Sequence, residues 1–238
     1  MTLSTERTVR ELAVEIPNAT RIFEKFKIDY CCGGSRSLES ACENAGVHIE
    51  EVVRQLEGSP TPEPSPVAFQ PTSATELINH IQEKHHTYTR EEIARLTALI
   101  SKVCSVHGGN HPELLRLQEL FVVLAQDLEP HMFKEERILF PYIGELEEAK
   151  NRGRSPMPPP FGTVSNPVRM MMMEHDTAGD LLRIMRHVTD DYTPPADACF
   201  SYNTLYRALE DFEKDLHQHI HLENNILFPL AEEMESEM

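Results

Sequence analysis

Two histidine–glutamate pairs occur at the same spacing in two similar stretches of the chain. The stretches read DLEPHMFKEERILFP and DLHQHIHLENNILFP, and they lie 88 positions apart. In each, a histidine precedes a glutamate by four residues, namely His131 with Glu135 and His219 with Glu223. Residues four apart lie on one face of an α-helix. If two such helices face each other, two imidazoles and two carboxylates meet, and this predicts a metal site for two ions.

The apolar periodicity predicts four long helices to position these pairs. We expect helix A from Ser73 to about Val106, helix B from Pro112 to about Lys150, helix C from Val168 to about Asp190, and helix D from Ala196 to about Glu235. Ser73 and Glu76 form a capping-box pattern, and Pro130 predicts a kink within helix B. Alternating strand patterns are absent. The sequence therefore predicts an all-α fold in which residues 73–238 form an up-down four-helix bundle.

A smaller unit precedes the bundle. Residues 1–57 carry short helical patterns, interrupted by the segment Asp29-Tyr30-Cys31-Cys32-Gly33-Gly34. Residues 58–72 are rich in proline and predict a stiff, extended linker. We therefore expect a small helical domain, a linker and a bundle.

The repeat also predicts ligands on helices A and C. If A–B and C–D are related hairpins, each first helix should supply a matching side chain. His86 and His175 lie 89 residues apart, close to the offset between helices B and D. This spacing favours His86 over its neighbour His85, and His80 is a further competitor. The predicted set of metal ligands is His86, His131, Glu135, His175, His219 and Glu223.

Imidazole and carboxylate ligands suit iron, and manganese or zinc could bind the same donors. Both glutamates would bridge the two ions, with two histidines on each ion. Six protein ligands leave coordination positions open, which a structural site would not need. Open positions on iron can bind small molecules such as O₂ or NO.

Three acidic residues are candidates to orient the ligand histidines. Asp127 and Asp215 each precede a ligand histidine by four residues, and Glu174 adjoins His175. Metal-bound histidines commonly donate their second ring N–H to a carboxylate. The alternative is that all three are solvated surface acids. His217 and His221 have no counterparts in the first stretch, so we interpret them as flanking residues.

Cys31 and Cys32 are the second chemical feature of the chain. Adjacent Cα atoms are about 3.8 Å apart, closer than in most disulfides, so a bridge between them would be strained. The pair suits thiol exchange, metal binding or an intermolecular disulfide, and Gly33-Gly34 predicts a tight turn that exposes the thiols. The alternative is two small buried residues that close a helix.

Composition narrows the choice of partners. Thirty-nine acidic residues against 22 basic ones give a formal charge of −17, which disfavours nucleic acid and anionic membranes as partners. The first residues show no secretory pattern, and no apolar run is long enough to span a bilayer. Five cysteines without framework spacing indicate reduced thiols. We therefore expect a cytoplasmic protein.

The chain resembles the iron–sulfur cluster repair di-iron proteins, the RIC family, which join a short ScdA-type domain to a hemerythrin-like bundle. The resemblance covers nearly the whole chain. It depends on four motifs: Asp29-Tyr30-Cys31-Cys32-Gly33-Gly34, His131-Met132-Phe133-Lys134-Glu135-Glu136, Glu174-His175-Asp176 and His219-Ile220-His221-Leu222-Glu223-Asn224-Asn225. The resemblance implies four histidine ligands and two bridging glutamates, which fall on the six residues already named. Pro130, directly before His131, departs from the family pattern.

The resemblance also implies a function. The cofactor would be two iron ions bridged by carboxylates and an oxo group. The protein would restore iron–sulfur clusters damaged by nitric oxide or oxidants, with damaged iron–sulfur proteins as partners and NO or O₂ as small ligands. Cys31 and Cys32 would engage a client or a second copy in a homodimer. The alternatives are a di-iron NO reductase that forms N₂O, and an O₂ or NO sensor.

Overall fold

The structure, a computed structural model, describes residues 3–58 and 72–238. Positions 59–71, which contain nearly all of the predicted linker, lie outside the described residues. Regular structure within these two ranges is helical, apart from an isolated antiparallel bridge between Thr8 and Ser37. The predicted all-α fold is confirmed. Among the described residues, no helix is both long and apolar enough to cross a bilayer.

Four short helices form the N-terminal unit. They are α1 (Val9–Glu15), α2 (Ala19–Phe26), α3 (Leu38–Ala45) and α4 (Ile49–Glu57). Thr8 and Glu11 form a capping box at the start of α1, and Ser37 caps α3. The helices share a small apolar core that includes Leu12, Phe23 and Val52.

The four predicted long helices follow. Helix A comprises α5 (Ala74–His80), a π-helical segment (Ile81–His86) and α6 (Thr87–His107). Helix B comprises α7 (Glu113–Lys134), a π-helical segment (Glu135–Leu139) and α8 (Phe140–Arg152), and helix C is α9 (Ser165–Val188). Helix D comprises α10 (Phe200–Leu222), a π-helical segment (Glu223–Leu227) and α11 (Phe228–Ser236).

Some helix ends differ from the prediction. Helix C begins at Ser165, three residues before the predicted start at Val168, and so includes Pro167. A proline is tolerated in the first turn because the N–H groups there have no partner within the helix. Helix D begins at Phe200, four residues later than predicted. Helix α7 continues through Pro130 without interruption, so the kink stays a prediction.

The bundle core consists of two apolar clusters at opposite ends. One cluster includes Leu96, Leu124, Leu182 and Phe212. The other contains the residues Ile81, Ile143, Met171 and Phe228. In each of the four helices, the predicted ligands lie between the parts that contribute to these clusters. The bundle thus encloses a polar layer between two apolar ones.

The π-helical segments lie at this polar layer. Two of them begin at Glu135 and at Glu223, and the third ends at His86. A π-helical turn inserts one extra residue and is frequently found at functional sites. The sequence analysis did not predict these segments.

The structure also supports the relation between the two hairpins. Glu147 on α8 accepts hydrogen bonds from the backbone N–H groups of Ala74 and Thr75, at 2.7 and 3.1 Å. Glu235, which is 88 residues later, accepts from the N–H of Val164 at 3.0 Å. The second helix of each hairpin therefore stabilises the start of the first. Carboxylates at helix N-termini are favourable because they satisfy free N–H groups and the helix dipole.

We predict that Glu147→Ala destabilises the protein by about 1–2 kcal/mol, because two N–H groups of α5 lose their acceptor. Thermal and urea unfolding measure this change. The matched control is Glu148→Ala, which removes only surface ion pairs with Arg152 and Arg154 and should change stability by less than about 0.5 kcal/mol. Equal effects of the two substitutions would contradict the capping role.

Candidate metal site

The six predicted ligands converge in the polar layer. All are buried, and the two glutamates are fully inaccessible to solvent. They form two groups that share both glutamates. One group is His86, Glu135, His219 and Glu223; the other is His131, Glu135, His175 and Glu223.

The histidines face each other in pairs. The Nε2 atoms of His86 and His219 are 3.1 Å apart. Those of His131 and His175 are 3.0 Å apart. Each pair combines one histidine from the first helix of a hairpin with one from helix B or D.

Each glutamate directs one oxygen toward each pair. Glu135 Oε2 lies 3.5 Å from Nε2 of His86, and its Oε1 lies 3.2 Å from Nε2 of His131. Glu223 Oε1 lies 3.1 Å from Nε2 of His219, and its Oε2 lies 3.2 Å from Nε2 of His175. Both carboxylates therefore span the two groups.

Three of the histidines are oriented through their Nδ1 atoms. His86 contacts Glu136 at 2.7 Å, His131 contacts Glu174 at 2.8 Å, and His175 contacts the Oδ1 of Asn224 at 2.8 Å. The hydrogen bond to His131 lowers the pKa of Glu174 to about 2. An ionised carboxylate only accepts hydrogen bonds, so Nδ1 must be the donor.

These contacts place lone pairs where a cation is needed. In a neutral imidazole whose Nδ1 carries the proton and donates the hydrogen bond, the Nε2 atom carries a lone pair. Two such atoms about 3 Å apart repel each other unless a proton or a metal ion lies between them. Both oxygens of Glu135 and one of Glu223 are buried and accept no hydrogen bond among the described residues.

The distances fit a metal ion well. Two nitrogens about 2.1 Å from an ion, at right angles to each other, would lie about 3.0 Å apart. The observed separations of 3.0 and 3.1 Å match this value. Buried carboxylate oxygens without hydrogen bonds then serve as the remaining donors.

The predicted orienting acids are only partly where we expected them. Asp127 is exposed and makes no hydrogen bond or ion pair with the described part of the chain. Instead, the Nδ1 atom of His131 donates its hydrogen bond to Glu174 of helix C. Asp215 contacts Nδ1 of His85 at 3.1 Å rather than His219. The pairings of Asp127 with His131 and Asp215 with His219 are therefore corrected.

Two orienting residues were missed. Glu136 and Asn224 directly follow the shared glutamates and are themselves 88 residues apart. The same repeat that identified Glu135 and Glu223 could have identified them. The first copy carries a carboxylate at this position and the second carries an amide.

The remaining histidines lie outside the cluster. His85 is buried, and its ring stacks on His219 with centroids 5.8 Å apart. His80 packs edge-on against His85. His217 and His221 face the N-terminal unit, where His217 contacts Glu24 at 2.9 Å and His221 packs against Tyr30.

The cysteine segment packs directly on the bundle beside His175. The Sγ of Cys32 lies 3.4 Å from the His175 carbonyl oxygen, and the Nδ2 of Asn224 donates to the carbonyl of Cys31. Cys31 is 5% exposed and Cys32 is half-buried. The Gly33-Gly34 turn therefore does not expose both thiols, because Cys32 packs against helix C and Cys31 against helix D.

Protons compete with metal ions for the histidines of the cluster, and in the metal-free protein the protons are bound there. Burial lowers the pKa of His86, but Glu135 and Glu223 outweigh it and raise the pKa to about 10. For His131, burial is likewise outweighed, chiefly by Glu135, and the pKa rises to about 10. Metal binding requires neutral imidazoles, so it must displace these protons.

We therefore predict that metal binding releases protons and strengthens with pH. Because both folded-state pKa values lie near 10, the protons are bound throughout the range from pH 6.5 to 8.5. Apparent affinity should rise by up to about tenfold per pH unit for each proton displaced. Competition with a chromophoric chelator, corrected for the chelator's own protonation, measures the affinity. An affinity independent of pH would contradict the prediction.

Comparison with known proteins places this site in context. Residues 77–231 match the family model of the hemerythrin HHE cation-binding domain. Residues 5–59 match that of the ScdA_N domain, a domain of unknown function. The chain is 37% identical over 230 residues to a protein of Haemophilus influenzae named a probable iron-sulfur cluster repair protein, covering 94% of this chain and 96% of that protein.

The chain belongs to this family of iron–sulfur cluster repair proteins. Two further members support the assignment. Iron-sulfur cluster repair protein ScdA of Staphylococcus haemolyticus is 32% identical, with 95% of this chain and 98% of that protein covered. Iron-sulfur cluster repair protein YtfE of Musicola paradisiaca is 35% identical, with 95% and 96% covered. The resemblance noted from the motifs is confirmed, and the bundle is a cation-binding domain of the hemerythrin type.

Proposed function

We propose that the bundle binds two iron ions and that the protein repairs damaged iron–sulfur clusters. His86 and His219 would hold one ion, His131 and His175 the other, and Glu135 and Glu223 would be shared. The observation that carries this proposal is that each buried carboxylate directs one oxygen toward each histidine pair. Iron bound here would supply a redox-active centre and a source of iron for a cluster.

The protein's own residues prepare the site for these ions. Glu136, Glu174 and Asn224 hold three imidazoles with Nε2 directed inward. The apolar clusters on either side limit the access of water to the polar layer. Orientation by fixed hydrogen bonds lowers the cost of organising the ligands when metal enters.

The names of the relatives favour repair over the two alternatives, an NO reductase and an O₂ or NO sensor. Damaged iron–sulfur proteins are accordingly the proposed partners. NO and O₂ as ligands, a homodimer, a cytoplasmic location, and a division of the chain into residues 1–57, 58–72 and 73–238 stay predictions.

Reactivation of a damaged client tests the proposal. A [4Fe–4S] hydro-lyase is inactivated with nitric oxide and then incubated anaerobically with the iron-loaded protein and a reductant. We expect recovery of client activity beyond that obtained with the same amount of free ferrous iron. Recovery equal to the free-iron control, or undiminished recovery with the metal-free protein, would overturn the proposal.

A further inference from the structure

A small pocket lies where the N-terminal unit packs against helices C and D. It has a volume of about 130 Å³, and both Cys31 and Cys32 contribute to its wall. Three cationic side chains, Lys27, Arg183 and Arg186, also line it, together with three carboxylates, Glu24, Asp29 and Glu213. Thiols and cations therefore share one cavity, outside the polar layer that holds the six candidate ligands.

The two thiols are not equivalent. Cys31 is buried, and its hydrogen bond with Cys32 together with its burial raises the pKa of Cys31 well above the ordinary value. Cys32 is only half-buried. Because a disulfide between adjacent cysteines is strained, Cys32 is better suited to bond with a sulfur that enters from the pocket.

A larger cationic groove continues from this pocket. The groove has a volume of about 720 Å³ and shares Glu24, Lys27 and Arg186 with the smaller pocket. Six cations line it against three carboxylates, although the whole chain has a formal charge of −17. Within the described part of the chain, Arg21 and Lys84 of this groove form no ion pair.

This distribution of charge points to a ligand of particular chemistry. Cavities of about 300–1,000 Å³ suit small molecules, and a groove of positive charge on an acidic protein attracts anions. The narrow pocket beside Cys32 admits one end of such a molecule, while the groove accommodates the rest.

We propose that this groove binds an anionic low-molecular-weight disulfide of the glutathione class and that Cys32 exchanges with it. The Cys32 thiol loses its proton to solvent, and its sulfur attacks one sulfur of the bound disulfide. The ligand's S–S bond breaks, a new S–S bond forms to Cys32, and the other half leaves as a thiolate that takes up a proton. The disulfide is the oxidant, so no further co-reactant is required.

Exchange kinetics with charged and uncharged probes test the proposal. The full-length protein is treated with glutathione disulfide or with uncharged hydroxyethyl disulfide, and peptide mass spectrometry locates the adducts. The protein carries Cys199→Ser, because Cys199 is exposed and would also react. We expect the adduct on Cys32, formed roughly tenfold faster with glutathione disulfide than with the uncharged probe, and a preference that declines as salt increases.

Two double variants test whether the preference depends on the cations of the pocket or on the net charge of the whole protein. Lys27→Ala with Arg183→Ala removes two cations from the pocket, which pair with Asp191 and Asp180. Lys150→Ala with Arg116→Ala removes two comparably paired cations outside it. The preference for glutathione disulfide should disappear only in the first variant.

Equal rates for the two probes in the parent protein would overturn the proposal, as would an adduct on Cys31 or an unchanged preference in the Lys27/Arg183 variant. Metal content is measured in every variant. Since the proposal does not depend on iron, loss of the preference with normal metal content supports it independently of the repair function.

Discussion

Replacing Glu135 and Glu223 together by alanine should abolish metal binding at the polar layer. Each carboxylate directs one oxygen to each histidine pair, so the double substitution removes two donors from both groups at once. Each pair is then left with two imidazoles, which seldom hold an ion without further protein ligands. Metal analysis after anaerobic loading with ferrous iron measures the loss.

The control for this variant changes the same residue types away from the site. Glu91→Ala with Glu129→Ala removes two exposed glutamates from helices A and B and should leave metal content unchanged. Circular dichroism of both variants shows whether the bundle still folds. About two irons per chain in the Glu135/Glu223 variant would contradict the proposed ligand set.

Mössbauer spectroscopy adds a second measurement to this experiment. In the parent protein it should report two bridged iron sites, and in each single glutamate variant an altered or incomplete pair. One isolated iron per chain in the parent protein would contradict a two-metal site, even if the double variant also loses its metal.

Spacing along the chain predicted which side chains meet in the polar layer. A histidine and a glutamate four residues apart must share a helix face, and the 88-residue repeat related helix B to helix D. The near-equal offset between His86 and His175 then identified the partners on helices A and C. These inferences required only helical periodicity and the repeat, so the sequence contained enough information.

Features that depend on how the helices are rotated against each other were not predictable in this way. Glu174 adjoins His175 in sequence, yet it contacts His131 across the helix interface. Asp215 has the spacing to reach His219, yet it contacts His85 on helix A. Sequence spacing gives distances within one helix, whereas these contacts depend on the packing of two.

The π-helical segments escaped prediction for a different reason. A π-helical turn shifts the backbone hydrogen bonds by one residue and leaves no compositional pattern comparable to a cap or a proline. The packing of Cys32 against His175 was likewise not predictable, because more than a hundred residues separate the two in the sequence and no motif relates them.

Glu136→Ala should weaken metal binding more than Asn224→Ala does. Glu136 orients His86. His219, which faces His86 in the same pair, has no hydrogen bond to its Nδ1 among the described residues. The His86–His219 pair therefore depends on one orienting contact. The His131–His175 pair has two, from Glu174 and Asn224, so it retains one when Asn224 is replaced.

We expect Glu136→Ala to lower affinity for one of the two ions by about 10–100-fold, while Asn224→Ala has a smaller effect on the other. Glu136→Gln is the matched variant, because its amide oxygen can still accept from Nδ1 of His86, and it should recover much of the affinity. Chelator competition measures affinity, and Mössbauer spectra show what fraction of the paired iron sites is lost.

Equal losses in Glu136→Ala and Glu136→Gln would mean that Glu136 acts through its charge or its contact with Arg90 rather than by orienting His86. Equal losses in Glu136→Ala and Asn224→Ala would contradict the asymmetry between the two histidine pairs. The direction of the difference therefore tests whether a single hydrogen bond to His86 limits how tightly that side of the site holds its ion.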